Sequence, residues 1–228
     1  MVGMSLMISE VIYMSRMTKR IILSVMGVLV GGMSVGIFKL AAFGVDPFQS
    51  LMSGLDALIP IPFGTLYVIV NALLLLFALA FDRHYINIAT FINLFLLGYV
   101  VEFSYAGLQM LFPEPGMLVR IISCVVGFVI LCLASSLYIT ADLGVSTYDA
   151  IALIMSNKWK LGKFKYIRIG TDLVCILLGV GMYLLSGSPM AGIAAFVGVG
   201  TIATAFFMGP LIDLFNRTIA QPLLDGKK

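Results

Sequence analysis

The chain has 228 residues, of which 61% are hydrophobic and 11% are charged, and its formal net charge is +3. Its mean hydropathy is +1.10, whereas soluble domains carry about 25% charged residues. This composition excludes a soluble globular protein and predicts an all-α integral membrane protein, with the lipid bilayer as its first partner. The sequence contains no basic and aromatic platform that would bind nucleic acid.

Six apolar segments follow one another along the chain, and each is long enough to cross a bilayer. They cover residues 20–43, 62–81, 86–112, 118–141, 164–186 and 191–215. About 20 apolar residues in a helix span a hydrocarbon core about 30 Å thick. A helix also satisfies every backbone polar group within the segment. We therefore expect six transmembrane helices.

Positive charges are concentrated before the first span, between the fourth and fifth spans, and after the sixth. The basic residues there are Arg16, Lys19, Arg20, Lys158, Lys160, Lys163, Lys165, Arg168, Arg217, Lys227 and Lys228. Loops rich in lysine and arginine stay on the cytoplasmic side of a membrane. The sequence thus predicts a multi-pass protein of the bacterial inner membrane, with residues 1–19 and 216–228 as cytoplasmic terminal segments.

Two similar polar stretches interrupt the apolar pattern. Residues 44–50 read GVDPFQS and residues 144–150 read GVSTYDA. Asp46 and Ser146 are typical N-cap residues, and a polar side chain follows each of them at the spacing of a capping box. The stretches therefore predict the starts of two short helices, over 47–58 and 147–157. At about 18 Å each, these half-helices cover only half of a bilayer core.

The similarity between the two halves extends beyond these stretches. Matching pairs are Gly27 with Gly127, Phe38 with Tyr138 and Ala41 with Ala141 at an offset of 100, and Thr90 with Thr201, Phe95 with Phe206 and Gly98 with Gly209 at an offset of 111. We interpret residues 20–112 and 118–215 as two copies of one unit, each with three spans and a half-helix after its first span. Because three is an odd number, the copies lie inverted, which is typical of transporters.

An alternative arrangement has eight spans, in which both short helices cross the membrane and the repeat is parallel. It would place Glu114 inside and His84 outside, opposite to the six-span arrangement. Asp56, near the end of the first short helix, argues against a full crossing.

The chain resembles the bacterial YczE/YyaS/YitT group of membrane proteins. The residues that carry the resemblance are Gly44 to Phe48, Gly144 to Asp149, the pair Gly200-Thr201 and the triplet Met208-Gly209-Pro210. The YczE-like branch is the nearest, because no soluble C-terminal domain follows residue 215. The resemblance implies a multi-pass plasma-membrane protein of poorly defined activity, often regarded as a permease. It supplies no substrate and no site residues.

The candidate substrate-binding residues are polar side chains at the short-helix starts or inside the spans. They are Asp46, Gln49, Ser50, Ser146, Thr147, Tyr148, Asp149, Asn71, Asn93, Asp172 and Thr204. The cap residues can serve structure alone, but the positive ends of two helix dipoles also suit an anionic or zwitterionic solute. A carboxylate such as Asp149 would instead suit a proton or a cation. Asp172 is predicted to pair with Arg168, one turn before it on the same face.

The predicted function is a permease for a small polar or charged solute, with H⁺ or Na⁺ as candidate coupling ions and a site near the midplane. The alternatives are a passive channel and a non-transporting scaffold or accessory partner of a biosynthetic system. Self-association into a homo-oligomer is left open. We do not expect an enzyme, since HExxH, Gly-x-Ser-x-Gly and P-loop motifs are absent. No cofactor or metal is predicted, because Cys124, Cys132 and Cys175 have no metal-type spacing.

Overall fold

The computed structural model describes the backbone of residues 2–225 and the side chains of residues 16–225 apart from Lys165. All regular structure in this range is helical. The helices are α1 (Val2–Ala41), α2 (Pro47–Leu58), α3 (Phe63–Phe81), α4 (Ile88–Leu111), α5 (Met117–Ala141), α6 (Thr147–Leu153), α7 (Phe164–Leu185), α8 (Val199–Phe215) and α9 (Gln221–Asp225). Shorter 3-10 turns lie at Arg83–Tyr85 and Met190–Ala195, and π-helical turns at Ile154–Lys158 and Asn216–Ala220.

Six helical segments are long and apolar enough to cross a membrane. They are Arg16–Ala41, Phe63–Phe81, Ile88–Leu111, Met117–Ala141, Tyr166–Leu185 and Met190–Asp225, and they coincide with the six predicted spans. Large apolar side chains cover their outer surfaces, as Leu76 and Leu177 show by being 63% exposed. The prediction of an all-helical multi-pass membrane protein is confirmed.

Both predicted terminal segments continue the helices beside them. Helix α1 begins at Val2 instead of residue 20, and the path beyond α8 continues through a π-helical turn into α9, which ends at Asp225. The predicted cytoplasmic residues Lys227 and Lys228 lie outside the described residues.

The predicted uninterrupted helix over 191–215 is wrong at its start. A 3-10 turn ends at Ala195, and Gly198 is fully extended, with φ −168° and ψ −152°, immediately before α8. The reason is tertiary, because the carbonyls of Ala195 and Phe196 accept hydrogen bonds from the N–H groups of Gly44 and Val45, at 3.2 and 3.1 Å. In a continuous helix, those two carbonyls would accept hydrogen bonds from N–H groups of the same helix instead.

The two short helices begin where the sequence predicts. Asp46 caps α2, with its Oδ1 accepting from Gln49 N at 3.1 Å, and Ser146 caps α6, with its Oγ accepting from Asp149 N at 3.1 Å. The return bond of a capping box does not form at α2, since the Gln49 Oε1 atom is buried without a hydrogen-bond partner among the described residues. At α6, Asp149 Oδ2 accepts from the Ser146 hydroxyl at 2.7 Å instead of from the backbone.

Each short helix is preceded by a stretch that hydrogen-bonds to the other half of the chain. Gly44 and Gly144 have almost the same positive φ, +99° and +101°. Val45 N donates to Phe196 O at 3.1 Å, and Val145 N donates to Tyr85 O at 3.1 Å. The segments thus contacted, one before α8 and one before α4, occupy equivalent places in the two halves.

Helices α1 and α5 pack against each other at the centre of the bundle, through glycines at matching positions. A Cβ on Gly27 would lie 2.9 Å from Tyr138 N, and a Cβ on Gly127 would lie 3.0 Å from Phe38 N. Only glycine lets the two backbones approach this closely. The pair forms the scaffold around which the other helices are placed.

Candidate functional site

The first turns of α2 and α6 meet through two aromatic rings. Phe48 and Tyr148 stack with their centroids 5.0 Å apart and their planes 23° apart, and Tyr67 of α3 lies edge-on to Phe48 at 5.9 Å. All three side chains are buried, with exposures of 3% to 8%. The contact brings together the two polar stretches, which stand one hundred positions apart in the sequence.

A charged cluster surrounds Tyr148 on the α7 side. The guanidinium of Arg168 is paired with Asp149 and, through Nε, with Asp172 Oδ1 at 3.2 Å. It also lies over the Tyr148 ring, 4.3 Å from its centroid, and the Tyr148 hydroxyl donates to Asp172 Oδ1 at 2.6 Å. The predicted pairing of Arg168 with Asp172 is confirmed.

The stability that these ion pairs contribute does not account for the presence of the charged cluster. The side chains of Arg168, Asp149 and Asp172 remain 31%, 41% and 21% exposed. Pairs that retain this much exposure stabilise a fold by about 1 kcal/mol or less. Ionisable side chains within membrane segments mark solute or ion pathways far more often than structural contacts. The cluster therefore identifies a candidate site.

An uncharged chain of hydrogen bonds continues from α6 into α3 and α4. The Thr147 hydroxyl donates to Asn71 Oδ1 at 2.5 Å, and Asn71 Nδ2 donates to the Tyr67 carbonyl at 2.9 Å. The Tyr67 hydroxyl in turn donates to Asn93 Oδ1 at 3.3 Å. Thr147 and Asn71 are each 1% exposed, so this chain fixes the start of α6 against α3.

The α2 side contributes Asp46 and Gln49. Asp46 stands two residues before Phe48, whose ring stacks on Tyr148. The Gln49 side chain is 3% exposed, and its unpartnered Oε1 is available to a donor. The structure thus brings Asp46, Gln49, Ser146, Thr147, Tyr148, Asp149, Asn71, Asn93 and Asp172 into one region.

Two candidate residues have backbone partners elsewhere. The Ser50 hydroxyl donates to Phe196 O at 2.7 Å and so fastens α2 to the segment before α8. The Thr204 hydroxyl donates to Thr201 O at 2.9 Å within its own helix. The structure does not bring either hydroxyl into the cluster.

Sequence reasoning left three central residues out of the candidate site. The charge pattern assigns Arg168 to the basic loop between the fourth and fifth spans, although its spacing places it on the same helix face as Asp172. Phe48 matches Tyr148 in the two similar stretches, which is the one signal that points to it, and no pattern in the sequence points to Tyr67. No group of His, Cys, Asp and Glu side chains that could hold a metal ion occurs among the described residues.

The chain is similar to proteins whose functions are also undefined. Residues 18–217 match the model of a family described as "Family of unknown function (DUF6198)". "Uncharacterized membrane protein YczE" of Bacillus subtilis is 26% identical over 190 residues, covering 79% of this chain and 80% of the relative. "Uncharacterized protein YyaS" of the same organism is 21% identical over 202 residues, covering 89% and 94%. No solved structure matches the chain significantly.

Proposed function

The chain belongs to the DUF6198 family and is of the YczE/YyaS type, and we propose that this membrane protein is a permease for a small charged solute. One observation carries the proposal. The first turns of α2 and α6 meet at a partly exposed cluster of charged side chains inside a bundle of apolar helices. Transporters place their substrate sites where the ends of broken helices meet, near the bilayer midplane.

The contacts support an inverted arrangement of the two repeats. Along α1 from Gly27 to Phe38, the contacted residues on α5 run backwards from Tyr138 to Gly127, as they do between antiparallel helices. Near the two ends of this pair, Arg20 reaches Asp142, and Arg120 donates to the carbonyls of Ala41 and Ala42. Gly27 contacts Tyr138, and their counterparts one hundred positions away, Gly127 and Phe38, contact each other. A two-fold axis perpendicular to the helices produces this exchange.

The directions of the short helices support a site near the midplane. Helix α2 ends at Leu58, close to the start of α3 at Phe63. The turn after α6 ends at Lys158, whose Nζ donates to the carbonyl of Phe81 at the other end of α3. Because α3 is about 28 Å long, α2 and α6 lead from a shared centre towards opposite faces of the membrane.

The balance of charges favours a cation or a proton over an anion. Among the described side chains, Asp149 and Asp172 share one guanidinium, that of Arg168, and Asp46 stands two residues before Phe48, which stacks on Tyr148. One N–H group in the first turn of each short helix is already engaged, because Asp46 accepts from Gln49 N and Ser146 accepts from Asp149 N. A cationic solute, or a neutral one coupled to H⁺ or Na⁺, fits this arrangement. The stack of Phe48 on Tyr148 favours a carrier with a closed centre over a passive channel.

We further propose that the protein lies in the bacterial inner membrane with both termini in the cytoplasm. Arg20, Lys158 and Lys160 then lie on the cytoplasmic side, as the distribution of basic residues in membrane proteins favours. The pairing of Arg20 with Asp142 agrees with six spans, because it joins the start of the first span to the end of the fourth, which six spans put at the same face.

Ligand-induced thermal stabilisation of the detergent-purified protein tests the permease proposal. The panel contains Na⁺, K⁺, amines, amino acids and organic acids, each at two pH values. A cation that binds the folded state at 100 times its Kd stabilises it by about 2.7 kcal/mol and raises the Tm. We expect Asp149→Asn and Asp172→Asn to abolish this rise. Asp213→Asn is the matched control, since Asp213 near the end of α8 forms an exposed ion pair with Arg217 in the following turn.

A Tm rise that survives both central substitutions would place the solute elsewhere and refute the site. A flat response to the whole panel would favour the accessory-partner alternative.

A further inference from the structure

A cleft of about 510 Å³ lies beside the charged cluster, between α2, α3, α6 and α7. Most of its lining is apolar: Leu51, Val70, Leu74, Ile151, Val174 and Cys175 contribute to its walls. Pockets for organic molecules have volumes of about 300 to 1,000 Å³ and similarly apolar walls. A bare ion or a proton would use none of this surface.

The cleft and the charged cluster share one wall. The Tyr148 ring lines the cleft, its hydroxyl is bonded to Asp172, and Arg168 lies over the ring. Phe48, stacked on Tyr148, lines the cleft as well. A molecule in the cleft therefore contacts the edges of two aromatic rings, and Tyr148 alone separates it from the carboxylate of Asp172.

The mouth of the cleft lies among residues that face lipid. Tyr166 and Val174, both part of its lining, are 67% and 54% exposed. Their neighbours on α7, Ile169 and Leu173, are each 55% exposed. The cleft thus opens sideways, towards the apolar surface of the bundle, and a molecule with an apolar body has direct access from the membrane.

We propose that the solute is an organic cation with an apolar body, which lies in this cleft with its positive charge directed towards Asp172, behind the Tyr148 side chain. This inference rests on the proposed permease function and names its substrate class. The excess of carboxylates over guanidinium decides against an amphipathic anion. A neutral acyl chain would fill the cleft but would balance none of the negative charge that Arg168 leaves over on Asp149 and Asp172.

Saturable binding of tetraphenylphosphonium to the detergent-purified protein, measured by equilibrium dialysis, tests this inference. Tetraphenylborate is the matched probe, since it has nearly the same shape and the opposite charge. Gly170 lines the cleft, and a Cβ there meets nothing within 4 Å, so Gly170→Trp fills the cleft without a clash in the backbone. Gly181, also on α7 and equally open, provides the control Gly181→Trp.

We expect the wild type and Gly181→Trp to bind tetraphenylphosphonium saturably, and tetraphenylborate at least ten-fold more weakly. Gly170→Trp and Asp172→Asn should each weaken tetraphenylphosphonium binding at least ten-fold. If Gly170→Trp fails to fold, Asp172→Asn and the pair of probes still decide the question. Equal binding of both probes would overturn the inference.

The result also separates this inference from the function on which it rests. If small cations raise the Tm through Asp149 and Asp172 while tetraphenylphosphonium does not bind, the substrate class is wrong and the permease proposal stands. If neither small cations nor tetraphenylphosphonium binds, the permease proposal itself is wrong.

Discussion

Gly44→Ala should destabilise the protein strongly, because Gly44 combines a positive φ with a crowded position. Its φ is +99°, and a Cβ would lie 2.5 Å from Gly198 N and 2.7 Å from Thr201 Oγ1. Backbone strain of this kind costs about 1–3 kcal/mol. Displacing the stretch also weakens the hydrogen bonds from Gly44 N and Val45 N, each of which contributes about 1 kcal/mol. The expected loss is about 3–5 kcal/mol in the free energy of unfolding.

The Tm of the purified protein in detergent measures this loss. A change of 1 kcal/mol shifts the Tm of a chain of this size by about 2–4 °C, so we expect a fall of about 6 °C or more. Gly144→Ala should behave alike, since Gly144 has φ +101° and its Cβ would lie 2.8 Å from Asn87 N. Gly107→Ala is the control, because a Cβ on Gly107 meets nothing within 4 Å and alanine favours a helix.

A Tm for Gly44→Ala within about 2 °C of that for Gly107→Ala would show that a Cβ at position 44 causes neither backbone strain nor a clash. A large fall in Tm for Gly44→Ala with none for Gly144→Ala would show that the stretches before α2 and α6 are not equivalent.

Two further predictions test the start of α6 and the topology. Thr147→Val removes the hydroxyl that donates to buried Asn71 and should lower the free energy of unfolding by about 1–3 kcal/mol. The control is Thr218→Val, at an exposed threonine, and equal Tm values for the two variants would contradict this prediction. In intact cells, a membrane-impermeant maleimide should label Glu114→Cys and should reach His84→Cys only after permeabilisation, with the unsubstituted chain as background. The reverse labelling would indicate the eight-span arrangement.

Much of the candidate site could be predicted because its polar residues are unusual where they stand. A carboxylate at Asp172 inside an apolar helix, and Thr147 and Asp149 at a short-helix start, are visible in the sequence without any knowledge of packing. Ser50 and Thr204 share that signal, but the structure gives their hydroxyls backbone partners. A polar side chain inside a span has several ways to satisfy its hydrogen bonds, and spacing does not distinguish among them.

Arg168 shows why the rest of the site could not be predicted. By sequence it ends a basic loop, and five cations in that loop make a cytoplasmic location the natural reading. In the structure it joins Asp149 of α6 to Asp172 of α7 and covers Tyr148. The spacing within α7 predicts its pair with Asp172, but its contacts with Asp149 and Tyr148 depend on how α6 packs against α7, and no local pattern records them.

The six spans, the starts of the two short helices and their cap residues follow from local patterns of amino acids. Hydropathy acts over about 20 residues and capping over a single turn, so both are local properties of the chain. Long-range packing instead produces the break before Gly198 in the helix predicted over 191–215, and it brings Phe48 against Tyr148. Both depend on contacts between halves of the chain one hundred or more residues apart, where packing and hydrogen-bond geometry choose the partner.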